Sequence, residues 1–293
     1  MDRDVERARH WFAEDLRVAA GITTAEILEA FARVPREQFV GPPPWRIGKR
    51  LMRMRGPLME YQTFERDPSA IYHDVVIALD EQHEINNGQP SLWAMLFEDV
   101  QPRAGERVLH LGCGTGYYTA ILAEIVGSKG TVSGIEISPE LARRATDSLV
   151  AWPNVTVTPG NGLTISREAW DLIVVSAGVT HPLASWLSGL RPDGRLLFPL
   201  TIDSPNPRSS NGAMLLISRS REGAFAARFL TPASFVHFDG GRDPEMNSRL
   251  LQAIRLRFPK AGDVRALRQD QHEEGETCWL HTDAFCLSYR EPG

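Results

Sequence analysis

Cysteine is scarce in this chain, with three residues (Cys113, Cys278 and Cys286) in 293. Three thiols cannot build a disulfide framework, and so low a number fits a reducing compartment. Long apolar runs are lacking too. None approaches the roughly 20 residues that span a bilayer, which excludes a helical membrane protein. The first residues, MDRDVERARHWFAEDLR, are charged from the second position and have no apolar centre. No secretory signal is expected there, and the expectation is a soluble, cytoplasmic protein. Positive charge is not in excess: 32 Lys and Arg stand against 37 Asp and Glu, a net charge of −5. With no recognised nucleic-acid motif either, neither nucleic acid nor a membrane is expected as a partner. Disorder throughout is excluded by 42% hydrophobic and 24% charged residues. A chain of this length forms one large domain or two small ones and needs no covalent staples.

There is no internal repeat. The first forty residues read as two helices, the second opening at Thr23, where Thr23-x-x-Glu26 fits a capping box ahead of Ile27, Leu28, Phe31 and Val34. Pro35 should stop it. Pro42-Pro43-Pro44 then begins an irregular stretch, followed by WRIGKRLMRMRG, which carries five basic residues and no acid. That run is a solvated basic face or, alternatively, a site attracting acidic substrates. From residue 107 strands and helices alternate. Strands are expected at 107–111, 131–137, 155–158, 172–176 and 195–200, with helices at 117–126, 139–151 and 183–190. This alternation predicts an α/β fold with a Rossmann-like, doubly wound sheet, mostly parallel. Residues 203–212 are rich in turn formers, and the strands at 213–218 and 224–230 should form an antiparallel end. A helix is expected at 243–258, and 277–289 looks extended, with no place assigned to it. The expected division is a helical and substrate-loop region at 1–98, a cofactor-binding core at 99–231 and a C-terminal extension at 232–293.

The strongest chemical signal is VLHLGCGTGYYTAILA, residues 108–123. A buried strand runs into Gly112-x-Gly114-x-Gly116 and a helix follows at once. Glycines serve where backbone must turn sharply and approach a ligand with no side chain in between. The spacing discriminates between cofactors. A dinucleotide fingerprint wants a glycine at position 117, where this chain has Tyr117, so a nicotinamide oxidoreductase is disfavoured. G-x-G-x-G suits S-adenosylmethionine, which has no pyrophosphate to cradle, and no Walker lysine is present. The plain alternative is a tight strand–helix turn. Glu136 ends the next strand, twenty residues after Gly116, where a carboxylate can accept hydrogen bonds from vicinal ribose hydroxyls. Ile137 follows it at the same edge. Gly160-Asn161-Gly162 closes the third strand there, with Asn161 either meeting an adenine amino group or serving as a turn residue.

With these residues in place the chain resembles the protein-L-isoaspartate O-methyltransferase family over roughly residues 20–200. LEAFARVPREQFVGP at 28–42 is similar to that family's Val-Pro-Arg-(Glu)-x-Phe-Val segment. Gln89-Pro90 stands at the family's spacing before the glycine loop, Gly-x-Gly-Tyr lies at 114–117, and the Pro-x-Gly-Arg turn lies at 192–195. The resemblance implies a Rossmann-like fold, S-adenosylmethionine as donor and methyl transfer to a carboxylate of a protein, peptide or small molecule. It also implies cofactor contacts from Gln89, His110, Tyr117 and Gly162.

The chain departs from the family at several places. Thr-Ile-Ser, whose hydroxyls lie beside cofactor and acceptor in the family, is replaced by Asn86, Asn87 and Gly88, with Ser91 just beyond. His110 stands where the family carries an acid, and Gly160-Asn161-Gly162 replaces Gly-Asp-Gly. A carboxylate acceptor is already ionised at neutral pH, so alignment and exclusion of water can replace a strong base. Asn86, Asn87 and the backbone at Gly88 are candidate neutral donors to it, and Asn86→Thr/Gly88→Ser should improve isoaspartyl transfer if the loop keeps the family shape. His181, at the same edge, is a candidate orienting group or base, or a plain loop histidine. The departures favour a specialised acceptor, such as a biosynthetic peptide, over general isoaspartyl repair. The alternative is a non-catalytic cofactor-binding module using its C-terminal extension for partner contacts. No metal is expected: Cys278, His281 and Cys286 lack a clear fourth partner. Cys113 reads as a packing residue, not a nucleophile.

Overall fold

Two amphipathic helices, α1 (Arg3–Ala19) and α2 (Ala25–Arg33), open the chain. The structure is a computed structural model describing residues 3–50, 59–65, 67–165, 169–206 and 208–293. Phe12, Ala13 and Leu16 on α1 and Ile27, Ala30 and Phe31 on α2 are buried, the stripe expected of helices with one apolar face. Strands β1 (Trp45–Arg50), β2 (Met59–Phe64), β3 (Val76–Asp80) and β4 (Ile85–Asn86) come next, then α3 (Pro90–Val100). The alternating part follows as β5 (Arg107–Leu111), α4 (Tyr117–Val126), β6 (Thr131–Glu136), α5 (Pro139–Ser148), β7 (Val155–Pro159), β8 (Trp170–Val175), α6 (Ala184–Gly189) and β9 (Leu190–Asp203). The remainder is β10 (Ser209–Arg219), β11 (Phe225–Val236), α7 (Pro244–Arg257), β12 (Ala266–Arg268), β13 (Cys278–His281) and β14 (Cys286–Ser288).

The chain forms two compact units, one of Met1–Gly105 with Cys113–Gly160, the other of Glu106–Gly112 with Asn161–Gly293. These units and the three-part sequence division cut the chain at different points. The first unit holds α1–α5, an antiparallel sheet in the order β2-β1-β3-β4, and the parallel pair β6 and β7. Helix α4 is apolar and buried on nearly every side. In the second unit the strands run β13-β14-β12-β11-β10-β9-β8-β5. β5, β8 and β9 are parallel and the rest antiparallel. The parallel strands read as near-continuous apolar runs, as strands covered on both faces do. The antiparallel end is longer than the expected pair, because β12, β13 and β14 extend it.

Two expectations are corrected. The capping box at Thr23 does not form: the N-cap of α2 is Thr24, without a side-chain cap bond. The Thr23 hydroxyl donates instead to Glu98 Oε1 at 2.5 Å, and Thr24 N–H to Oε2 at 3.2 Å. A carboxylate on α3 thus satisfies donors that Glu26 was expected to share. The stretch after Pro44 is not wholly irregular, since β1 begins at Trp45 with Trp45 and Ile47 buried in alternation. Within the basic run, Arg46 bonds Glu81 and Thr63, whereas Arg53 and Arg55 lie outside the described residues. Among the described residues no helix is long and apolar enough to cross a membrane.

Candidate active site

The loop between β5 and α4 is built from three glycines with positive φ: +73° at Gly112, +58° at Gly114 and +93° at Gly116. L-side chains rarely adopt that conformation, so the path of the loop depends on glycine. Glu136, at the end of β6 and only 5% exposed, fixes it from outside. Its Oε2 accepts the Gly114 N–H at 2.7 Å, and its Oε1 accepts the Ser138 N–H at 3.0 Å. Each carboxylate oxygen retains a second lone-pair direction. Ile137, next in sequence, is an exposed large apolar side chain. Loop, carboxylate and apolar platform are what an adenosine group of S-adenosylmethionine requires. A Cβ at Gly114 would meet nothing nearer than Leu79 Cδ1 at 3.7 Å, whereas one at Gly116 would lie 2.6 Å from Leu149 Cδ1, so Gly116 is needed for space as well as for its φ.

Two loop residues face elsewhere. The Tyr117 ring is buried edge-on against Phe39, with centroids 5.7 Å apart, and its hydroxyl has no partner among the described residues. Only the backbone of Tyr117 belongs to the start of α4. Burial pushes the Cys113 thiol well up, and its sulfur packs against Gly134, as a packing role requires.

The candidate acceptor edge runs from β4 into α3. Asn86 Oδ1 accepts the Gly88 N–H at 2.9 Å. Asn87, expected to face an acceptor, is turned inward: its Oδ1 accepts the Ile77 N–H at 2.8 Å, and its buried amide nitrogen finds no partner among the described residues. Gly88 has φ +75°, and a Cβ there would lie 2.6 Å from Trp93 Nε1. The Tyr118 hydroxyl donates to its carbonyl at 3.1 Å. Asp74, which no sequence motif marks, organises the following turn. It accepts from Gln89 Nε2 at 2.8 Å, and from both the N–H and the hydroxyl of Ser91 at 2.7 Å. Pairings fifteen and seventeen residues apart carry no sequence signal. An open groove of about 460 Å³, lined by Trp45, Ala78, Leu79 and Arg144 among others, adjoins this part of the first unit.

The loop that carries Asp74 is held by the family-like segment around Pro35. Arg36 is fully buried and donates to three backbone carbonyls, those of Ile71 at 2.5 Å, His73 at 2.9 Å and Val75 at 2.5 Å. Its guanidinium also lies over the rings of Phe12 and Tyr117. The Tyr72 hydroxyl donates to Glu37 and accepts from the Arg36 N–H.

In the second unit His110 is 1% exposed, with Nε2 2.8 Å from Ser176 Oγ. Burial pushes its imidazole down to about 3, so it is neutral at pH 7 and bears none of the charge of the family acid. Asn161 is exposed, and its Oδ1 accepts the Leu163 N–H at 3.1 Å, an Asx turn that engages the oxygen expected to read adenine. Gly162 is buried beneath Leu111, and its carbonyl accepts Trp186 Nε1–H at 3.0 Å. His181 is half-buried beside Thr180, with Nδ1 3.0 Å from Oγ1. Burial lowers its pKa against the opposing pull of Asp243, leaving it neutral and able to accept a proton.

Comparison with known proteins identifies the scaffold. The profile described as protein-L-isoaspartate(D-aspartate) O-methyltransferase matches residues 58–242. The chain is 29% identical over 235 residues to protein-L-isoaspartate O-methyltransferase 2 of Anaeromyxobacter sp. (strain Fw109-5), covering 79% of this chain and 83% of that protein. It is 32% identical over 204 residues to protein-L-isoaspartate O-methyltransferase 2 of Archaeoglobus fulgidus, covering 68% and 80%. A solved protein-L-isoaspartate O-methyltransferase superposes with a TM-score of 0.61 at 22% identity, over 86% of this chain and 70% of that one. A putative protein-L-isoaspartate O-methyltransferase from Plasmodium falciparum, in complex with S-adenosyl-L-homocysteine, gives 0.57 at 15%, over 78% and 97%. The structural likenesses establish the Rossmann-like methyltransferase fold, and the sequence relatives favour an enzyme over a non-catalytic module. The chain belongs to the protein-L-isoaspartate(D-aspartate) O-methyltransferase family and is an S-adenosylmethionine-dependent methyltransferase.

Proposed function

We propose that this enzyme methylates a carboxylate of a specialised protein or peptide acceptor in the cytoplasm, and that generic isoaspartyl residues are poor substrates. The observation that carries this reading is the turn at Gly88. A hydroxyl-bearing side chain at this position would adopt φ +75° and drive its Cβ to within 2.6 Å of the Trp93 indole. Of the hydroxyls nearby, that of Ser91 already donates to Asp74 and that of Tyr118 to the Gly88 carbonyl. Family positions that resemblance assigns to hydroxyls beside the acceptor are therefore filled by Asn86, whose Oδ1 accepts the Gly88 N–H, and by the glycine turn itself. Loss of one well-aimed donor in a dry site costs roughly 100-fold in rate.

S-adenosylmethionine supplies the electrophilic methyl group. The backbone of residues 113–117 would hold it, Glu136 would accept from its ribose hydroxyls while keeping the loop in shape, and Ile137 would lie against its apolar part. The acceptor carboxylate arrives ionised, so no residue of the chain must remove a proton. Asn86 marks the acceptor edge, and alignment of the acceptor oxygen with the methyl group carries the reaction.

The test is methyl transfer to matched aspartyl and isoaspartyl peptides by wild type and Gly88→Ser. Weak transfer to both peptides is expected from the wild type. The variant should be less stable and gain no isoaspartyl activity, contrary to what alignment with the family suggests. Fast, isoaspartyl-selective turnover by the wild type would overturn the proposal and leave ordinary repair as the function.

A further inference from the structure

Outside the methyltransfer machinery, His272, Cys278, His281 and Cys286 converge in the C-terminal part of the second unit, with their ligand atoms all within 4.8 Å of one another. Cys278 Sγ lies 3.7 Å from His272 Nε2 and 4.0 Å from His281 Nδ1. The two imidazole rings meet edge to face, with centroids 4.8 Å apart at 72°. Bond lengths of about 2.3 Å for Zn–S and about 2.05 Å for Zn–N set the ligand atoms of a tetrahedral ion about 3.4–3.8 Å apart. Closing this set around an ion therefore takes movements of about 1 Å at most.

The backbone explains why a spacing that looked incomplete assembles. Residues 278 and 281 are three apart, so in a regular strand their side chains would point to opposite faces. β13 contains a bulge between Cys278 and Leu280, which inserts one residue relative to β14 and returns His281 to the face of Cys278. Cys286 is the register partner of His281, and Cys278 that of Ser288, so all three ligands share one side of the hairpin. The fourth ligand, His272, comes from the segment between β12 and β13. Its Nδ1–H donates to the Asp270 carbonyl at 2.9 Å, which fixes the tautomer and leaves the Nε2 lone pair facing Cys278. Arg268, opposite Cys286 on β12, holds the Asp270 carboxylate at 2.5 and 2.9 Å. An outer partner on the non-ligating nitrogen is what metal-binding histidines characteristically have.

We propose that His272, Cys278, His281 and Cys286 form a structural zinc site that clamps residues 269–277 and the β13–β14 hairpin to the end of the sheet. Two sulfurs and two imidazoles with no carboxylate among them suit zinc and do not suit magnesium or calcium. Four protein ligands complete the tetrahedron and leave no position for substrate, so the ion braces the fold. Both cysteines are 1% exposed, and binding releases their two thiol protons to solvent.

The test uses the full chain, expressed with zinc and freed of loose metal by gel filtration. Mass spectrometry of the metal should find about one zinc per chain, and His272→Ala should lose most of it while keeping its far-ultraviolet circular dichroism. Because that variant can misfold, a second measurement stays with the wild type. Cobalt exchanged into it should give thiolate-to-cobalt charge transfer and the intense d–d bands of tetrahedral coordination, and a chelator should lower the melting temperature until zinc is returned. A reduced protein that takes up neither zinc nor cobalt would overturn the site. So would an octahedral cobalt spectrum, or an intact mass two hydrogens light from a Cys278–Cys286 disulfide.

Discussion

Replacing Glu136 by glutamine probes the hinge between loop shape and cofactor affinity. The carboxylate accepts the Gly114 N–H at 2.7 Å and the Ser138 N–H at 3.0 Å at a side chain only 5% exposed. Hydrogen bonds to a charged acceptor contribute about 1.5–3 kcal/mol each. Glutamine has nearly the same volume, so no cavity forms. Its single oxygen can serve one N–H, while its NH2 must face the other, donor against donor. One bond is lost and the survivor becomes neutral, so a stability loss of about 2–4 kcal/mol is expected. Urea denaturation of the free enzyme reads that loss directly. Titration calorimetry with S-adenosylmethionine, at a temperature where the variant is folded, reads the second effect, a weakening of about 1–3 kcal/mol if ribose hydroxyls share the same carboxylate. Equal stability and equal affinity in wild type and variant would refute both roles. A stability loss with unchanged affinity would leave Glu136 as a loop anchor and remove it from the ribose.

His110 makes stability depend on pH. Its imidazole titrates near 6.5 when unfolded but is pushed down to about 3 in the fold, so the unfolded chain binds the extra proton between those values. Stability contributed by the neutral ring is complete above pH 6.5 and falls as the pH drops. Denaturation at pH 7 and pH 5 should therefore show about 2 kcal/mol more loss in wild type than in His110→Gln, and equal losses would contradict the burial argument. Arg36→Met leaves the carbonyls of Ile71, His73 and Val75 without their buried donor, and should cost about 3 kcal/mol or more in urea denaturation. A loss below about 1 kcal/mol would show that water replaces the guanidinium.

The α/β core was readable because its signals are local. Tyr117–Val126 is a mostly apolar run behind three glycines, and the helix spans those residues as expected. The β8 sequence WDLIVV has no polar residue after Asp171, as a strand buried on both faces requires. Long-range pairings carried no such mark. The capping box at Thr23 failed because Glu98, seventy-five residues away, competes for the same hydroxyl. Asp74 and Ser176 became visible only when the fold brought them to Ser91 and His110. The convergence of Cys278, His281 and Cys286 was hidden for a different reason. Spacing alone cannot show a bulge, and without the one between Cys278 and Leu280 the pattern at 278, 281 and 286 points to two faces.

The segment Val34 to Val40, similar to the family's entry segment, lies ahead of the residues the family profile matches and touches none of the candidate reacting positions, yet the structure gives it a clear task. A buried arginine needs several acceptors at once, and backbone carbonyls supply them only when a loop is folded to one shape. Arg36 gathers three carbonyls from residues 71–75, and within that loop Asp74 gathers Gln89 and Ser91. The path from Arg36 to the acceptor edge therefore passes through two sets of hydrogen bonds, each over-determined by several partners. Such a scaffold can stay constant while the side chains it presents are exchanged. Asn86 and Gly88 sit at its far end, where Asn86 caps the Gly88 N–H and Trp93 and Tyr118 close over the glycine. Those contacts shape the presented turn and involve neither Arg36 nor Asp74, so side chains at this edge can be exchanged while the hydrogen-bonded scaffold behind them stays.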